Sequence, residues 1–159
     1  MIRSFVTLVI VAQLVSGCIA EERYHNSTWN FCVDYPKGWT PEHPIDEYGI
    51  AFHRGDSISM SFGVIKDNEN LEDNFRTAYL ENGSVSVTER ESTTFHGRPA
   101  IVATLAHDKP SHAVQHIMTV AASEGVIYEF QVSAPDQNTL NQFLPMFRSE
   151  LASFKFSCK

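Results

Sequence analysis

Seven histidines and a few scattered acids are the residues of this chain whose types could do chemistry. His107 and His112 flank the four-residue stretch Asp108 to Ser111, so a hairpin there would set them face to face. Directly opposed strand residues hold their Cβ atoms about 5 Å apart, close enough for two imidazoles to share a metal, with Asp108 adding an oxygen. His116 lies ~13 Å further along such a strand at 3.3 Å per residue and cannot join them. Two ligands make a weak site, and exposed hairpin histidines without a metal are the alternative reading. The acidic run Asp67 to Asp73 looks like a calcium loop, but Leu71 stands at the fifth position and the sixth carries no glycine. That run fits a helix start better, where acids complement the macrodipole.

Other catalytic signatures are missing. There is no Gly-x-Ser-x-Gly elbow and no glycine-rich phosphate loop, the eight glycines standing apart as turn residues. The acids fall in polar, solvated stretches, so no pair of carboxylates for glycoside chemistry stands out. The expectation is a protein that is not an enzyme and carries no cofactor. Recognition is better sought on the connection Thr40 to Tyr48, which has two prolines and the polar residues His43, Asp46 and Glu47. Irregular loops on rigid scaffolds carry binding residues disproportionately. Trp39 reads as a plug at one end of the core and Trp29 stays open. Arg98, beside Gly97, reads as an exposed turn residue.

The N-terminus sets the compartment. Met1-Ile2-Arg3 is a short positive start and Phe5 to Val15 a nearly unbroken apolar run. About 11 apolar residues are too few for a bilayer of ~30 Å at 1.5 Å per residue, but suit a secretory leader. Leu14-Val15-Ser16-Gly17-Cys18 follows. It resembles the bacterial lipobox, whose cysteine is acylated and becomes the first mature residue. The expected organisation is a leader over 1–17, a short tether over 18–26 and one domain over 27–159. Ordinary cleavage after Ala20 is the alternative, giving a leader over 1–20 and a secreted soluble protein. Ile rather than Asp at position 19 directs such a lipoprotein, in a Gram-negative cell, to the outer membrane. The sequons Asn26-Ser27-Thr28 and Asn82-Gly83-Ser84 then read as coincidental.

The whole chain of 159 residues has a net charge of −7; removing 1–17 takes away Arg3 and leaves −8. Its basic residues are scattered, which excludes a phosphate-tracking surface and hence nucleic acid. Anionic lipid would repel it, so contact with the membrane should be through the anchor alone. Export also bears on the cysteines. With Cys18 acylated or removed, Cys32 and Cys158 remain as an even pair in an oxidising compartment. A bond between them would close almost the whole domain and contribute roughly 5 kcal/mol for a loop on the order of 100 residues. It requires the C-terminal segment to lie beside the first strand. Two unpaired thiols are the alternative.

The elements that must position these residues follow from periodicity. Phe31, Val33 and Tyr35 mark a half-buried strand, ended by Pro36-Lys37-Gly38, and Gly49 to His53 a short one. Ile58, Met60, Phe62 and Val64 alternate with small polar residues over the cleanest period-two run. Asn68 or Asn70 can cap a helix bearing Leu71, Phe75 and Tyr79 on one face. Val85–Phe95, Ala100–Ala106, His112–Ala122 and Val126–Ser133 are strands on short turns, an antiparallel meander. The last helix carries Leu140, Phe143, Leu144, Phe147, Leu151 and Phe154, with Pro145 inside to kink or divide it. The fold class is α+β: a single domain, an antiparallel sheet packed with two main helices.

Phe31-Cys32-Val33-Asp34-Tyr35-Pro36-Lys37-Gly38-Trp39 is similar to the opening signature of PsbP-like domains, a strand ending in Tyr-Pro-x-Gly-Trp. Phe95-His96-Gly97-Arg98-Pro99-Ala100 resembles that family's Gly-x-Pro-Ala turn, and Leu151 to Phe156 its closing Ser-Phe segment. The resemblance covers roughly residues 24 to 156 and extends to DcrB-like envelope lipoproteins. It implies a sheet with helices packed on it and a binding or assembly role, and it brings no catalytic motif. The function expected is a non-catalytic, exported and lipid-anchored module of the bacterial envelope, on its periplasmic face, that binds a protein partner. The alternative is a periplasmic carrier of a small ligand or metal.

Overall fold

The computed structural model describes residues 21–42, 48–55, 57–66, 69–81, 83–108, 113–123 and 125–158. The leader, Cys18, the 43–47 segment and His112 lie outside these. Among the described residues no helix is long and apolar enough to cross a membrane.

Alternating apolar residues build most of the strands in chain order. They are β1 (Glu21–Asn26), β2 (Phe31–Pro36), β3 (Thr40–Pro41), β4 (Gly49–Arg54) and β5 (Ile58–Lys66). Helix α1 (Leu71–Phe75) follows and runs on as a π-helical turn, Arg76–Leu80. Then come β6 (Val85–Phe95), β7 (Arg98–His107), β8 (Val114–Ser123), β9 (Val126–Ala134) and helix α2 (Gln137–Ser153). The main sheet has seven antiparallel strands in the order β3-β4-β5-β9-β8-β7-β6, and β1-β2 form a separate ribbon. The meander predicted from sequence is β6 to β9, and β9 then pairs with β5, joining it to the N-terminal half. The His96-Gly97 turn of β6–β7 has both residues at positive φ (48° and 76°), the two-residue hairpin geometry that matches strand twist.

Alternation sorts the side chains between two faces. On one, Phe52, Met60, Phe62, Phe130 and Val132 pack against Leu140, Phe147 and Leu151 of α2. On the other, Ile101, Ala103, Leu105 and Ile117 are covered by Phe75 of α1, with Leu71 and Tyr79 beside it. Asn70 caps α1 by accepting from the Asp73 N–H at 2.9 Å, so of the two asparagines this is the cap.

Four expectations need correction. Residues 21–26, expected as tether, form β1 and pair along the whole of β2. Strand β2 is buried on both faces, because the chain end covers its outer side. Cys32 N–H donates to the Lys155 carbonyl at 3.1 Å, Lys155 N–H returns a bond at 2.9 Å, and Cys32 is bonded to Cys158 across 126 residues. Pro145 does not divide α2; it and Asn141, whose carbonyl loses its partner, are both exposed, so the gap faces water. Phe154 lies past the helix, in extended backbone, and there inserts between Phe31 (ring centroids 5.4 Å apart) and Phe130 (4.6 Å).

Two stability predictions follow from this closure. Cys32→Ser/Cys158→Ser should lose about 2–5 kcal/mol in urea unfolding, and reductant should then have no further effect on the variant. Phe154→Ala, at a position 1% exposed, should cost about 3–5 kcal/mol by the same measurement.

Candidate functional site

Three concave regions among the described residues bring polar groups together. The first lies where β2 turns into β3. Gly38 at φ 91° lets Trp39 N–H reach back to the Pro36 carbonyl at 3.3 Å. This drives Trp39 into the core, edge-on to Phe143 at 6.2 Å and only 5% exposed. Its rim, with Lys37, Arg54, Met146, Ser149 and Glu150, encloses a cleft of about 510 Å³. Arg54 stacks over Phe143 at 5.6 Å.

The second is a groove of about 370 Å³ between β6–β8 and α2. Cross-strand register places Glu89, Thr104 and His116 in one row. Thr104 Oγ1 lies 3.3 Å from both Glu89 Oε2 and His116 Nδ1. The imidazole meets Phe147 edge-on at 6.1 Å. Burial, helped by the Arg148 charge and opposed by Glu89, lowers the His116 pKa, so the ring is neutral at pH 7. A hydroxyl between a carboxylate and an imidazole resembles part of a nucleophile triad. Here, however, the acid bonds the hydroxyl rather than the far ring nitrogen, so no acid among the described residues orients the imidazole as a base.

The third is a slot of about 180 Å³ on the face away from α2, bounded by Tyr48, Gly49, Ser61, Gly63, Ile65 and Glu129. Glu129 Oε2 accepts a short hydrogen bond from Tyr79 Oη, of the π-helical turn, at 2.5 Å. Burial raises the Glu129 pKa although the Tyr79 bond pulls the other way. Burial and the neighbouring carboxylate push the Tyr79 phenol far up, so it stays a donor. Tyr48 meets Trp29 at 5.7 Å.

The sequence-derived sites fare unevenly. Cys32 and Cys158 are joined. His107 Nε2 sits 2.8 Å from Gln115 Oε1, so one ring nitrogen is already engaged. Its proposed partner His112, and the loop residues His43, Asp46 and Glu47, lie outside the described residues, as does Cys18. Among the described residues no group of three or more His, Cys, Asp or Glu could hold a metal. Arg98 is not an exposed turn residue: it donates to the Ala122 carbonyl and lies over the Phe156 ring at 4.5 Å. Nor are all acids solvated. Glu129 is half-buried in β9, and Glu150 is 4% exposed. The Thr104–His116 and Tyr79–Glu129 contacts had one readable signal, a polar residue alternating within an apolar strand.

No family model and no curated protein matches the chain. Solved structures do match it. It is similar to the solution structure of cyanobacterial PsbP (CyanoP) from Synechocystis sp. PCC 6803, with TM-score 0.59 and 14% identity over 89% of this chain and 95% of that one. The chain has the PsbP-like fold. The crystal structure of LpqN, involved in cell envelope biogenesis of Mycobacterium tuberculosis, matches with TM-score 0.51 and 13% identity, covering 86% of this chain and 90% of that one. A point mutant of the protein Mog1 matches with TM-score 0.55 and 9% identity, covering 86% and 96%. At these identities the likeness to PsbP, LpqN and Mog1 is one of fold.

The His116 shift carries a pH prediction. The unfolded chain binds a proton at the ordinary value of 6.5, the folded chain only at lower pH. Its contribution to stability is therefore full above 6.5 and is lost as the pH falls through and below that value. His116→Gln should flatten the drop in thermal midpoint between pH 7.5 and 5.5, read by calorimetry.

Proposed function

We propose that this protein is a non-catalytic, exported module of the bacterial envelope, anchored by acyl chains at Cys18, that binds a protein partner. The observation that carries this reading is the fold shared with LpqN, a protein involved in cell envelope biogenesis, and with CyanoP. The leader and the lipobox-like Ser16-Gly17-Cys18 support an extracytoplasmic location on independent grounds. The disulfide fits an oxidising compartment. A binding role is supported by what the concave regions contain. The Thr104 hydroxyl beside the His116 imidazole is tied to Glu89 instead of being poised for attack.

The partner surface is read as the Trp39 cleft together with the connection that bears His43, Asp46 and Glu47. The cleft has Arg54 and Lys37 against Glu150, over an aromatic wall. It is large enough for a peptide segment with mixed charge, within the ~300–1,000 Å³ of enclosed ligand sites. A metal carrier built on His107 and His112 has less in its favour, since Gln115 already takes one nitrogen of His107.

Native mass spectrometry of the protein extracted in mild detergent from its own envelope tests the reading. The expected spectrum shows a chain starting at an acylated Cys18, with a partner attached. Cys18→Ala should move most of the protein from the membrane to the soluble fraction. A photo-crosslinker at Met146 should capture one partner, and the same group at exposed Ser92, on the far edge strand β6, should not. A bare soluble chain beginning at Glu21 with no adduct would overturn the anchor and leave the partner without support.

A further inference from the structure

Across the sheet face away from α2, register sets Gly49, Gly63, Glu129, Thr119 and Ile101 side by side on β4, β5, β9, β8 and β7. Tyr79 closes this row from one side by bonding Glu129. On the other side the two glycines leave a floor without side chains. The two are not equivalent. A Cβ at Gly49 would come within 2.7 Å of the Phe62 carbonyl oxygen and 2.9 Å of Gly63 Cα, so packing requires that glycine. A Cβ at Gly63 would find nothing nearer than the Glu129 carbonyl oxygen at 4.0 Å. Gly63 also has no positive φ. The fold has room for a side chain there, yet the middle of a strand holds a residue that weakens strands. Where backbone strain and packing both fail to explain a strand glycine, close approach of another group remains.

Among the described residues that line the slot beside it, Glu129 is the charged one. Glu129 Oε2 is taken by Tyr79, and Oε1 has no partner among the described residues. At about 180 Å³ the space is below the ~300–1,000 Å³ of pockets that enclose whole small molecules, and suits a single long side chain. Its walls are the apolar flank of Ile65 and the ring of Tyr48, which fit a methylene stem. The net charge of −7 favours a basic visitor from a distance.

We propose that this slot receives a lysine or arginine side chain of a partner protein, its cationic head on Glu129 Oε1 and its stem over the bare floor at Gly63. The proposal rests on the partner-binding reading above and names the chemistry that the partner presents. Glu129 supplies a charge-assisted acceptor, and Tyr79 holds that carboxylate in place. The head needs no other group from this chain. The anchor residue enters from the open β4–β5 side, next to Tyr48.

NMR titration of the full-length chain in detergent micelles tests this, with Nα-acetyl-lysine methylamide as probe and Nα-acetyl-norleucine methylamide as its neutral counterpart. The lysine probe should shift the Tyr48, Gly49 and Gly63 amides saturably, and the norleucine probe should not. Glu129→Gln should weaken lysine binding about tenfold or more, as loss of a charge-assisted bond does. Gly63→Val adds bulk where the fold has space, so it should keep the native spectrum and abolish the shifts; it serves as the test if Glu129→Gln fails to fold. Equal shifts with both probes, or lysine shifts that survive both substitutions, would overturn the proposal. So would binding of n-butylammonium without the capped lysine, which would make the slot a site for free amines. The partner reading fails separately. If crosslinking at Met146 captures no partner while the capped lysine binds, the slot stands alone; if the partner is captured but no probe binds, only the slot falls.

Discussion

The pairing of β5 with β9 is the constraint on which the rest depends. These strands are distant in sequence, and their register runs unbroken from Ser59 opposite Ser133 to Lys66 opposite Val126. It puts Phe62 against Phe130 on the α2 face, rings 5.8 Å apart, and in the same stroke puts Gly63 against Glu129 on the other. Because side chains alternate with period two, a slip of one residue would exchange these faces. If β9 slipped, the fully buried Phe130 would turn outward and the Glu129 carboxylate would enter an aromatic core. If β5 slipped, the fully buried Phe62 would turn outward. The apolar core therefore fixes the geometry of the polar face. The slot at Glu129 is held by the energy of side chains buried on the opposite face.

The second constraint is closure of the ends. Strand β2 has no place in the seven-stranded sheet, and its ribbon with β1 would be marginal by itself. What holds it is the chain's last stretch. Phe154 packs on Phe31, Lys155 bridges Cys32 by two backbone bonds, and Cys158 is bonded to Cys32. Asp34 N–H also donates to Ser153 Oγ at 2.8 Å. The covalent bond lowers the entropy of the unfolded chain, while the aromatic contacts act in the folded state alone. Together they bring the N-terminal ribbon over α2 and so place the Pro36–Trp39 turn at the mouth of the Arg54 cleft.

Most of this architecture was legible because local signals agreed with the global fold. Ile58 to Val64 alternates cleanly, so β5 and its buried face could be read directly. The four strands after α1 are joined by short turns with Gly or Pro, which forces them antiparallel. Cys32 and Cys158 pointed to contact between first strand and chain end once export was assumed. The parts that escaped depend on distant partners. Residues 21–26 carry Glu, Arg and His in a short polar run, and only pairing with β2 makes them a strand. Arg98 follows a turn glycine and is polar, yet Phe156 and the Ala122 carbonyl come to it from far along the chain. Glu129 sits in β9 as an ordinary outward acid; its environment comes from Tyr79, 50 residues away.

The open slot is a consequence of helix length. Helix α1 and its π-helical turn, five residues each, extend about 15 Å at 1.5 Å per residue. Seven strands at ~4.8 Å spacing span about 29 Å, so this helix can cover only part of its face. It packs on β6, β7 and β8, and Tyr79 marks the limit of its reach at β9. Beyond that limit an apolar face would invite aggregation. Ser59, Ser61, Gly63 and Gln131 there are small or polar, and the apolar Ile65 stands at the wall of the slot. That composition solves the exposure problem but does not account for Gly63, since a serine or threonine would serve solubility as well and strengthen the strand. A glycine at the β5 position beside the half-buried carboxylate is therefore better explained by what must approach Glu129 than by what must be kept from water.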